Sequence, residues 1–272
     1  MLIDTHCHIH DRSTYNFALG RQQVGKKLLK KYPDLPHQPA DFTAEKMIAR
    51  AHEAGIKKMI CIGTSHDDSL AARDFATVHA DDGIYWSCGI HPDEAEEPKT
   101  PFAIEPTCVP PIAIGEVGLD YRNGESGRRA QITLFEQMLQ LAKDNDLPVI
   151  FHIRDAYDDF FAVLNNFPQI CGVVHSFSDN VEKLQKSLER GFYIGINGLA
   201  TFAPELPTAM VPLDRMLLET DAPFLTPAPF RGTINEPAHV KEICAYISKI
   251  SGESEARIAE ITTKNAEQLF KI

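Results

Sequence analysis

The sequence lacks the patterns that mark several common classes of protein. Its six cysteines form no C-x-x-C pair, and most of them lie in apolar, strand-like runs. Free, reduced cysteines of this kind are typical of a cytoplasmic protein. No apolar run approaches the length of a membrane span, and His6 and His8 interrupt any apolar stretch near the start. We therefore expect neither a membrane segment nor a signal peptide.

Basic residues and nucleotide-binding loops are also scarce. The chain has 27 lysines and arginines against 38 acidic residues, which gives a formal net charge of −11. Such a balance opposes duplex binding over the whole surface, because the phosphate backbone is repelled, but it leaves room for a local cationic or metal-filled cleft. No Gly-x-Gly-x-x-Gly or Walker-type loop follows the first predicted strand, which counts against a nucleotide-binding fold.

A pair of histidines stands at the end of that first strand. Leu2 and Ile3 lead into Asp-Thr-His-Cys-His at positions 4–8. Alternate residues of a strand share a face, so His6 and His8 point one way and Cys7 the other. Two imidazoles on rigid backbone are a natural half of a divalent-metal site. Two hydrogen-bonded structural histidines fit this motif equally well, and the rest of the chain has to decide.

The strand pattern predicts an α/β fold in which one (β/α)8 TIM barrel spans residues 1–272. Most of the eight short apolar strands are followed by a helical pattern, and 272 residues suit a closed barrel. A basic insertion at about 12–38 follows the first strand. We expect residues 11–40 to be irregular and to form either a solvated excursion or a cationic lid. After the first, the predicted strands are 57–63, 84–90, 112–119, 148–153, 172–177, 192–197 and 216–221.

Ionisable residues of metal-ligand type stand at the carboxyl ends of five of these strands, where barrel active sites form. Burying so many unpaired groups for structural reasons alone would be costly. Four imidazoles and two carboxylates suit two divalent ions, with Glu116 as the bridging candidate. Mixed ligation favours Zn, Mn or Co, while Mg accepts fewer imidazoles, so the metal's identity stays open among these four. The candidate ligands are His6, His8, Glu116, His152, His175 and Asp221.

Two further carboxylates share faces with these residues by strand parity. Asp4 falls on the face of His6 and His8, and Glu219 on that of Asp221. Both are candidates to orient the second ring nitrogen of a ligand or to shape the water network. A salt bridge inside the barrel is an equal alternative for Glu219.

Several motifs together resemble the TatD family of metal-dependent hydrolases. The resemblance runs from residue 2 to the C-terminal segment and leaves out only the stretch around 12–38. It implies an amidohydrolase-like barrel that binds two divalent ions through the six candidate ligands and hydrolyses phosphodiesters in DNA. Glu116, where related hydrolases often carry a carboxylated lysine, favours this branch. The motifs are HCH at 6–8, GIHP at 89–92, IGEVGLDY at 114–121, FHIR at 151–154, VHSF at 174–177, LETDAP at 218–223 and RG…NEP at 231–237.

Two departures from the family pattern remove positive charge from the expected rim. Ala203 follows the Thr-Phe pair at 201–202 where members often have lysine, and Thr233 and Ile234 replace residues that are usually basic. Either the basic insertion supplies the missing charge or the substrate is smaller than DNA.

The mechanism we expect is phosphodiester hydrolysis by a metal-activated water, with Asp221 accepting its proton and Glu116 as the second catalytic residue. His91 is expected to face the substrate. Arg122 either clamps a phosphate or is a surface arginine. The other histidines lack this setting and are expected to be ordinary: His10, His37, His52, His66, His79 and His239.

The substrate expected from these features is DNA, single-stranded or at strand ends, or a small phosphoester. Hydrolysis of a small ester, lactone or amide is the alternative, because a barrel and its metals do not choose a substrate. A catalytically idle scaffold is a third interpretation, which the intact ligand set opposes. No obligate protein partner is indicated.

Overall fold

A computed structural model describes residues 1–21, 26–95, 104, 108–122, 124 and 127–272 of the chain. Eight strands occur within these residues, and all of their pairings are parallel. They are β1 Leu2–Cys7, β2 Ile56–Ile62, β3 Ile84–Ser87, β4 Ile114–Asp120, β5 Val149–Arg154, β6 Gly172–Val174, β7 Tyr193–Ile196 and β8 Met216–Leu218.

The strands form a closed ring in chain order. One sheet contains β1 to β3 and a second contains β4 to β8. Single bridges join the two sheets at Cys88 with Ile114 and at Cys7 with Ala222. The predicted barrel is therefore confirmed, with its first and last strands meeting at one seam.

The described helices lie between and after these strands, and their ends follow local sequence signals. The hydroxyl of Ser65 accepts the backbone N–H of Asp68 at the start of α4, and Ser254 caps α9 in the same way. Gly252 ends α8 in the left-handed conformation. The helices are α1 Arg12–Arg21, α2 Lys26–Lys31, α3 Ala44–Glu53, α4 His66–Val78, α5 Arg128–Asp144, α6 Tyr157–Leu164, α7 Val181–Glu189, α8 Val240–Ser251 and α9 Glu255–Phe270.

Several strands end earlier than predicted, which opens the mouth of the barrel. The prediction extended β6 to residue 177 and β8 to residue 221, but these strands end at Val174 and Leu218. Ser176 and Asp221 have φ angles of 49° and 58°, which interrupt extended backbone. Side chains that follow the strands can therefore turn towards a common centre.

Two apolar layers support this arrangement. The inner layer contains Ile3, Ile60, Ile150 and Leu217 from the strands, together with Phe270 from α9. A larger outer layer lies between the strands and the helices. Both layers consist of buried, close-packed hydrophobic side chains. The barrel interior is therefore a packed core rather than a pore.

The expectation that residues 11–40 are irregular is wrong, because α1 and α2 lie there. Among the apolar positions of α1 only Tyr15 and Ala18 are buried, too few to produce a visible helical period. The Tyr15 hydroxyl donates to the backbone oxygen of Asn235 at 3.3 Å, and the ring of Tyr32 packs edge-on against Phe230 at 5.1 Å. The insertion thus packs beside the segment that follows β8.

All six cysteines are free; Cys108 and Cys171 are exposed and the other four are buried. None of the helices in the described part of the chain is both long enough and apolar enough to cross a membrane.

Candidate metal centre

The carboxyl ends of the strands surround a cavity of about 730 Å³. Its volume is within the range of small-molecule sites. The predicted ligands that line it are His8, Glu116, His152, His175 and Asp221, and His6 lies buried beneath them.

The two carboxylate oxygens of Glu116 face different sets of nitrogens. Glu116 Oε2 lies 3.4 Å from His6 Nε2. Glu116 Oε1 lies 2.5 Å from His152 Nδ1 and 3.4 Å from His175 Nε2. One carboxylate therefore reaches towards two neighbouring positions, which is the geometry of a bridging ligand.

Asp221 joins the two histidines of the first strand. Its Oδ1 atom lies 3.6 Å from His6 Nε2 and 3.7 Å from His8 Nε2. Backbone hydrogen bonds hold the three residues in place: Asp221 N–H donates to the His6 oxygen at 2.9 Å, and His8 N–H to the Ala222 oxygen at 2.9 Å. We call His6, His8 and Asp221 the β1 half of the centre.

His152 and His175 form the other half, which we call the β5–β6 half. His152 Nε2 is hydrogen-bonded to Asp120 Oδ2 at 3.1 Å, and His175 Nδ1 to Glu219 Oε1 at 3.1 Å. Each carboxylate fixes the ring proton on the nitrogen that it contacts. The other nitrogen faces Glu116, and its lone pair becomes available for metal ligation once the proton on that nitrogen is lost.

These atoms fit divalent ions by spacing and by chemistry. Ligands 2.0–2.2 Å from a tetrahedral ion are about 3.3–3.6 Å apart. The separations of Glu116 from His6 and His175 and of Asp221 from His6 and His8 are close to this range, and the 2.5 Å contact of Glu116 with His152 is shorter. Among the described residues, both ring nitrogens of His6 are buried without a hydrogen-bond partner. A bound cation would satisfy Nε2. Within the part of the chain that the structure describes, three groups could hold an ion: His6, His8 and Glu116; His6, His175 and Asp221; and His91, Glu116 and His152.

Charge interactions favour ionised carboxylates here. Burial raises the pKa of Glu116, but the charges of His175 and His152 outweigh it and hold that pKa well below its usual value. Burial also raises the pKa of Asp221, but the neighbouring imidazoles of His8, His175 and His6 outweigh it and lower that pKa. Both groups are therefore anionic at neutral pH and ready to ligate cations.

The pKa values of the two histidines of the β1 half shift in opposite directions. Burial opposes the charged form of His8, but Asp221 outweighs it and raises the pKa of His8. Burial lowers the pKa of His6, aided by the charge of His175. Burial acts in the same direction on His152, but the charge of Glu116 and the hydrogen bond to Asp120 prevail and raise the pKa of His152 to about 9. For His175, the charges of Glu219 and Glu116 overcome burial and raise its pKa well above the ordinary value.

Asp4 does not reach a ligand ring, contrary to the parity argument. It accepts the backbone N–H of Thr220 at 2.9 Å and the Thr220 hydroxyl at 2.6 Å. Alternation fails because the register of β1 shifts between Asp4 and Cys7. As a result Ile3 joins the inner apolar layer while Cys7 joins the outer one. Through Thr220, Asp4 instead joins β1 to the segment that follows β8.

His91 lines the cavity and belongs to one of the groups that could hold an ion. Its Nε2 atom is 3.8 Å from Glu116 Oε1, while its Nδ1 accepts the backbone N–H of Asp93 at 3.1 Å. Burial and the charge of His152 lower the pKa of His91 to about 4, so its ring is neutral. With Nδ1 accepting, the proton resides on Nε2, and this tautomer favours donation to a substrate over metal ligation.

Arg122 lies at the rim of the cavity and is paired with two carboxylates. Its guanidinium bonds Asp93, and its Nε lies 3.5 Å from Asp120 Oδ2. Part of its charge is thus neutralised, although the side chain remains 36% exposed. These pairs hold the guanidinium beside His91, where an anion could approach it.

Two carboxylates beside the histidines were not singled out from the sequence. Asp120 shares the strand face of Glu116 by the two-residue period, a signal that could have found it.

The second of these carboxylates is Asp68. It pairs with His10 at 3.0 Å, which raises the pKa of His10 to about 10 despite its burial. In the described part of the chain, His10 belongs to none of the groups that could hold an ion.

A glycine on β7 makes room for the carboxylate that orients His175. A Cβ atom at Gly195 would lie 2.4 Å from Glu219 Oε2, closer than atoms can approach. The side chain of Glu219 therefore occupies space that any larger residue at position 195 would take.

A known protein family matches almost the whole chain. The family model described as "TatD related DNase" matches residues 3–271. The chain belongs to the TatD-related DNase family. The resemblance drawn from its motifs is confirmed, and the protein is a metal-dependent hydrolase of the TatD family.

Relatives of this TatD chain carry two kinds of name. It is 31% identical over 279 residues to the "uncharacterized metal-dependent hydrolase YcfH" of Escherichia coli K12, covering 100% of this chain and 96% of that one. It is 34% identical over 244 residues to the "3'-5' ssDNA/RNA exonuclease TatD" of Citrobacter rodentium, covering 84% and 92%. The crystal structure of the TatD homologue YjjV from Escherichia coli K12 superposes with a TM-score of 0.78 at 26% identity, covering 100% and 98%.

Proposed function

We propose that the protein is a deoxyribonuclease that uses two divalent metal ions to hydrolyse phosphodiester bonds at the ends of DNA strands. The observation that carries this proposal is the contact of the two Glu116 oxygens with separate groups of imidazoles. Paired ions 3.5–4 Å apart suit in-line displacement at phosphorus. The name of the Citrobacter relative, an exonuclease, supports strand ends as the point of attack.

Bound divalent ions supply Lewis acidity at the phosphoryl oxygen and lower the pKa of a water. The residues of the chain hold the ions, accept the proton and orient the substrate. His6, His8, Glu116, His152, His175 and Asp221 hold the ions. Asp221 is ionised and lies at the wall of the cavity, so its carboxylate accepts the proton of the attacking water.

Groups around the cavity orient the phosphate. The neutral ring of His91 donates from Nε2 to a phosphoryl oxygen. Arg122 binds a second oxygen of the phosphate while Asp93 and Asp120 hold its guanidinium. These local groups allow an anion to bind to a chain whose formal net charge is −11.

Zn, Mn or Co is the expected metal, because imidazole predominates among the ligands. Metal analysis of protein purified without added ions tests this choice and the number of ions per chain. The six free cysteines fit the reducing cytoplasm that the sequence predicts.

The activity test uses chelator-treated protein reloaded with each metal. End-labelled linear single strands, linear duplex, circular single strands, RNA and a panel of esters, lactones and amides serve as substrates. We expect metal-dependent shortening of linear single strands and no cutting of circles. Failure to cut DNA or any model phosphodiester with every metal would refute the nuclease proposal, and turnover of an ester, lactone or amide instead would support the alternative.

An Asp221→Asn variant tests the proton acceptor. We expect its kcat to fall about 100-fold or more while the protein still binds metal at the β5–β6 half. Glu267→Gln is the matched control, since Glu267 is a surface carboxylate that pairs with Lys58 at 2.9 Å. Undiminished turnover in Asp221→Asn would exclude the proposed role.

A further inference from the structure

Phe224 is an exposed aromatic residue in the wall of the catalytic cavity. Its side chain is 38% exposed, and it lies three residues after Asp221. The other large exposed apolar residues of the described chain lie outside this cavity: Met1, Phe17, Val78, Val181 and Met210. A single exposed phenylalanine on an outer surface needs no explanation, but one beside a charged catalytic centre does.

The backbone of Phe224 is held firmly in this position. Its N–H donates to the Asp221 oxygen at 2.8 Å. Its carbonyl oxygen accepts from Asn235 Nδ2 at 2.6 Å, and the same amide group donates to the Thr220 oxygen at 2.8 Å. Asn235 is fully buried, so its two hydrogen bonds fix the turn from residue 220 to residue 224 against the protein interior. The ring is therefore presented on a rigid support rather than on a loose loop.

The cavity has an apolar side and a side that carries two arginines. Leu225 and Leu199, which follow β8 and β7, line it together with Phe224. Arg122 and Arg154, at the ends of β4 and β5, are its arginines, and both are exposed. In a ring of eight strands β4 stands opposite β8, so a phosphate bound near Arg122 would have the ring of Phe224 across the cavity.

We infer that Phe224 is a stacking platform for the nucleobase next to the cleaved phosphate. A nucleotide offers the matching combination of an anionic phosphate and a flat apolar base. Base stacking on aromatic side chains is tolerant of sequence, because every base has a π-face. Bases inside a duplex already stack on their neighbours, so Phe224 selects an unpaired terminal nucleotide. The inference rests on the proposed nuclease function and adds to it a contact of Phe224 with an intact base beside the cleaved bond.

The test combines a protein change with a substrate change. The substrates are a linear oligothymidylate and a matched strand whose three residues at each end are abasic. For Phe224→Ala we expect kcat/KM on the oligothymidylate to fall roughly 5- to 100-fold, mainly through KM, because stacking contributes that much per base. On the abasic strand we expect wild type and variant to be equal. Phe224→Trp should restore cleavage of the oligothymidylate, whereas Phe224→Leu, which keeps apolar volume only, should not.

Phe17→Ala is the matched control, because Phe17 is 56% exposed and lies outside the cavity. Its activity should equal that of wild type on both strands. Equal losses on the two strands in Phe224→Ala, or no loss on either, would refute the stacking platform. Wild-type protein that cuts neither strand would refute the proposed function itself, so the two failures are distinguishable.

Discussion

The two halves of the candidate centre are held in place by different means. In the β1 half, both ring nitrogens of His6 lack a hydrogen-bond partner among the described residues, and backbone bonds across the seam position His6 and His8 beside Asp221. In the β5–β6 half, Asp120 and Glu219 hold the far nitrogens of the two rings. The first half depends on the closure of the barrel, the second on pairs of charges.

This difference predicts how each half responds to change. Charge pairs raise the pKa of both His152 and His175, whereas in the β1 half burial lowers the pKa of His6 and Asp221 raises that of His8. Removing a carboxylate should therefore alter metal affinity in the β5–β6 half. Loosening the seam should instead alter the stability of the whole barrel.

Glu116→Gln should have the largest effect, because Glu116 belongs to both halves. The amide keeps the size of the side chain but loses its charge and turns one acceptor into a donor. We expect activity to fall about 10²–10³-fold or more and metal binding to weaken in both halves. Zinc titration against a competing chelator, with kinetics at saturating metal, measures both losses. Loss of one ion alone would show that Glu116 does not bridge.

Acidification should weaken metal binding in the β5–β6 half. The metal-free His152 ring has a pKa of about 9, so an ion must displace its proton at every pH below that. Metal affinity should therefore fall at least about tenfold for each pH unit between 8 and 6. Calorimetry in two buffers of different ionisation enthalpy counts the protons released. Binding without proton release at pH 7 would contradict the assigned charge of this half.

Asp120→Asn should lower metal affinity about 10- to 100-fold in the β5–β6 half, because His152 loses the charge that orients it. The β1 half should bind as before. Asp159→Asn is the control, since Asp159 accepts from Tyr121 and Arg128 outside the metal groups. Unchanged affinity in Asp120→Asn would mean that the backbone alone fixes His152.

Asp4→Ala should have the smallest effect on metal affinity and a clear one on stability. It leaves the buried N–H and hydroxyl of Thr220 without their acceptor, which costs about 1–3 kcal/mol of unfolding free energy. Urea unfolding and zinc titration measure the two quantities separately, and Asp4→Asn, which keeps an acceptor oxygen, is the milder comparison. A loss of metal affinity without a loss of stability would show instead that Asp4 orients a ligand ring.

Much of this centre could be predicted because parallel strands deliver their carboxyl ends to one place. Glu116, His152 and His175 each follow an apolar run, and the barrel topology brings them together. Asp120 could also have been predicted from the sequence, since it shares the strand face of Glu116. These positions depend on the chain's period and order alone.

Other features depend on contacts that no local pattern encodes. The register shift that turns Asp4 away from the histidines is a property of strand pairing, not of the sequence of β1. The space left by Gly195 has meaning only once β7 lies beside Glu219. In α1 the few buried residues pack on the segment after β8, more than 200 residues away, so the helix was not visible in advance.

The seam between β1 and β8 also sets when the centre can exist. His6 and His8 are made first, but they meet Asp221 only through bonds to the far end of the barrel. A chain emerging from the ribosome therefore carries two histidines without their carboxylate until residues 221 and 222 have been added. The candidate metal centre is therefore among the last parts of the molecule to assemble, because an unfinished chain still lacks one of its candidate ligands.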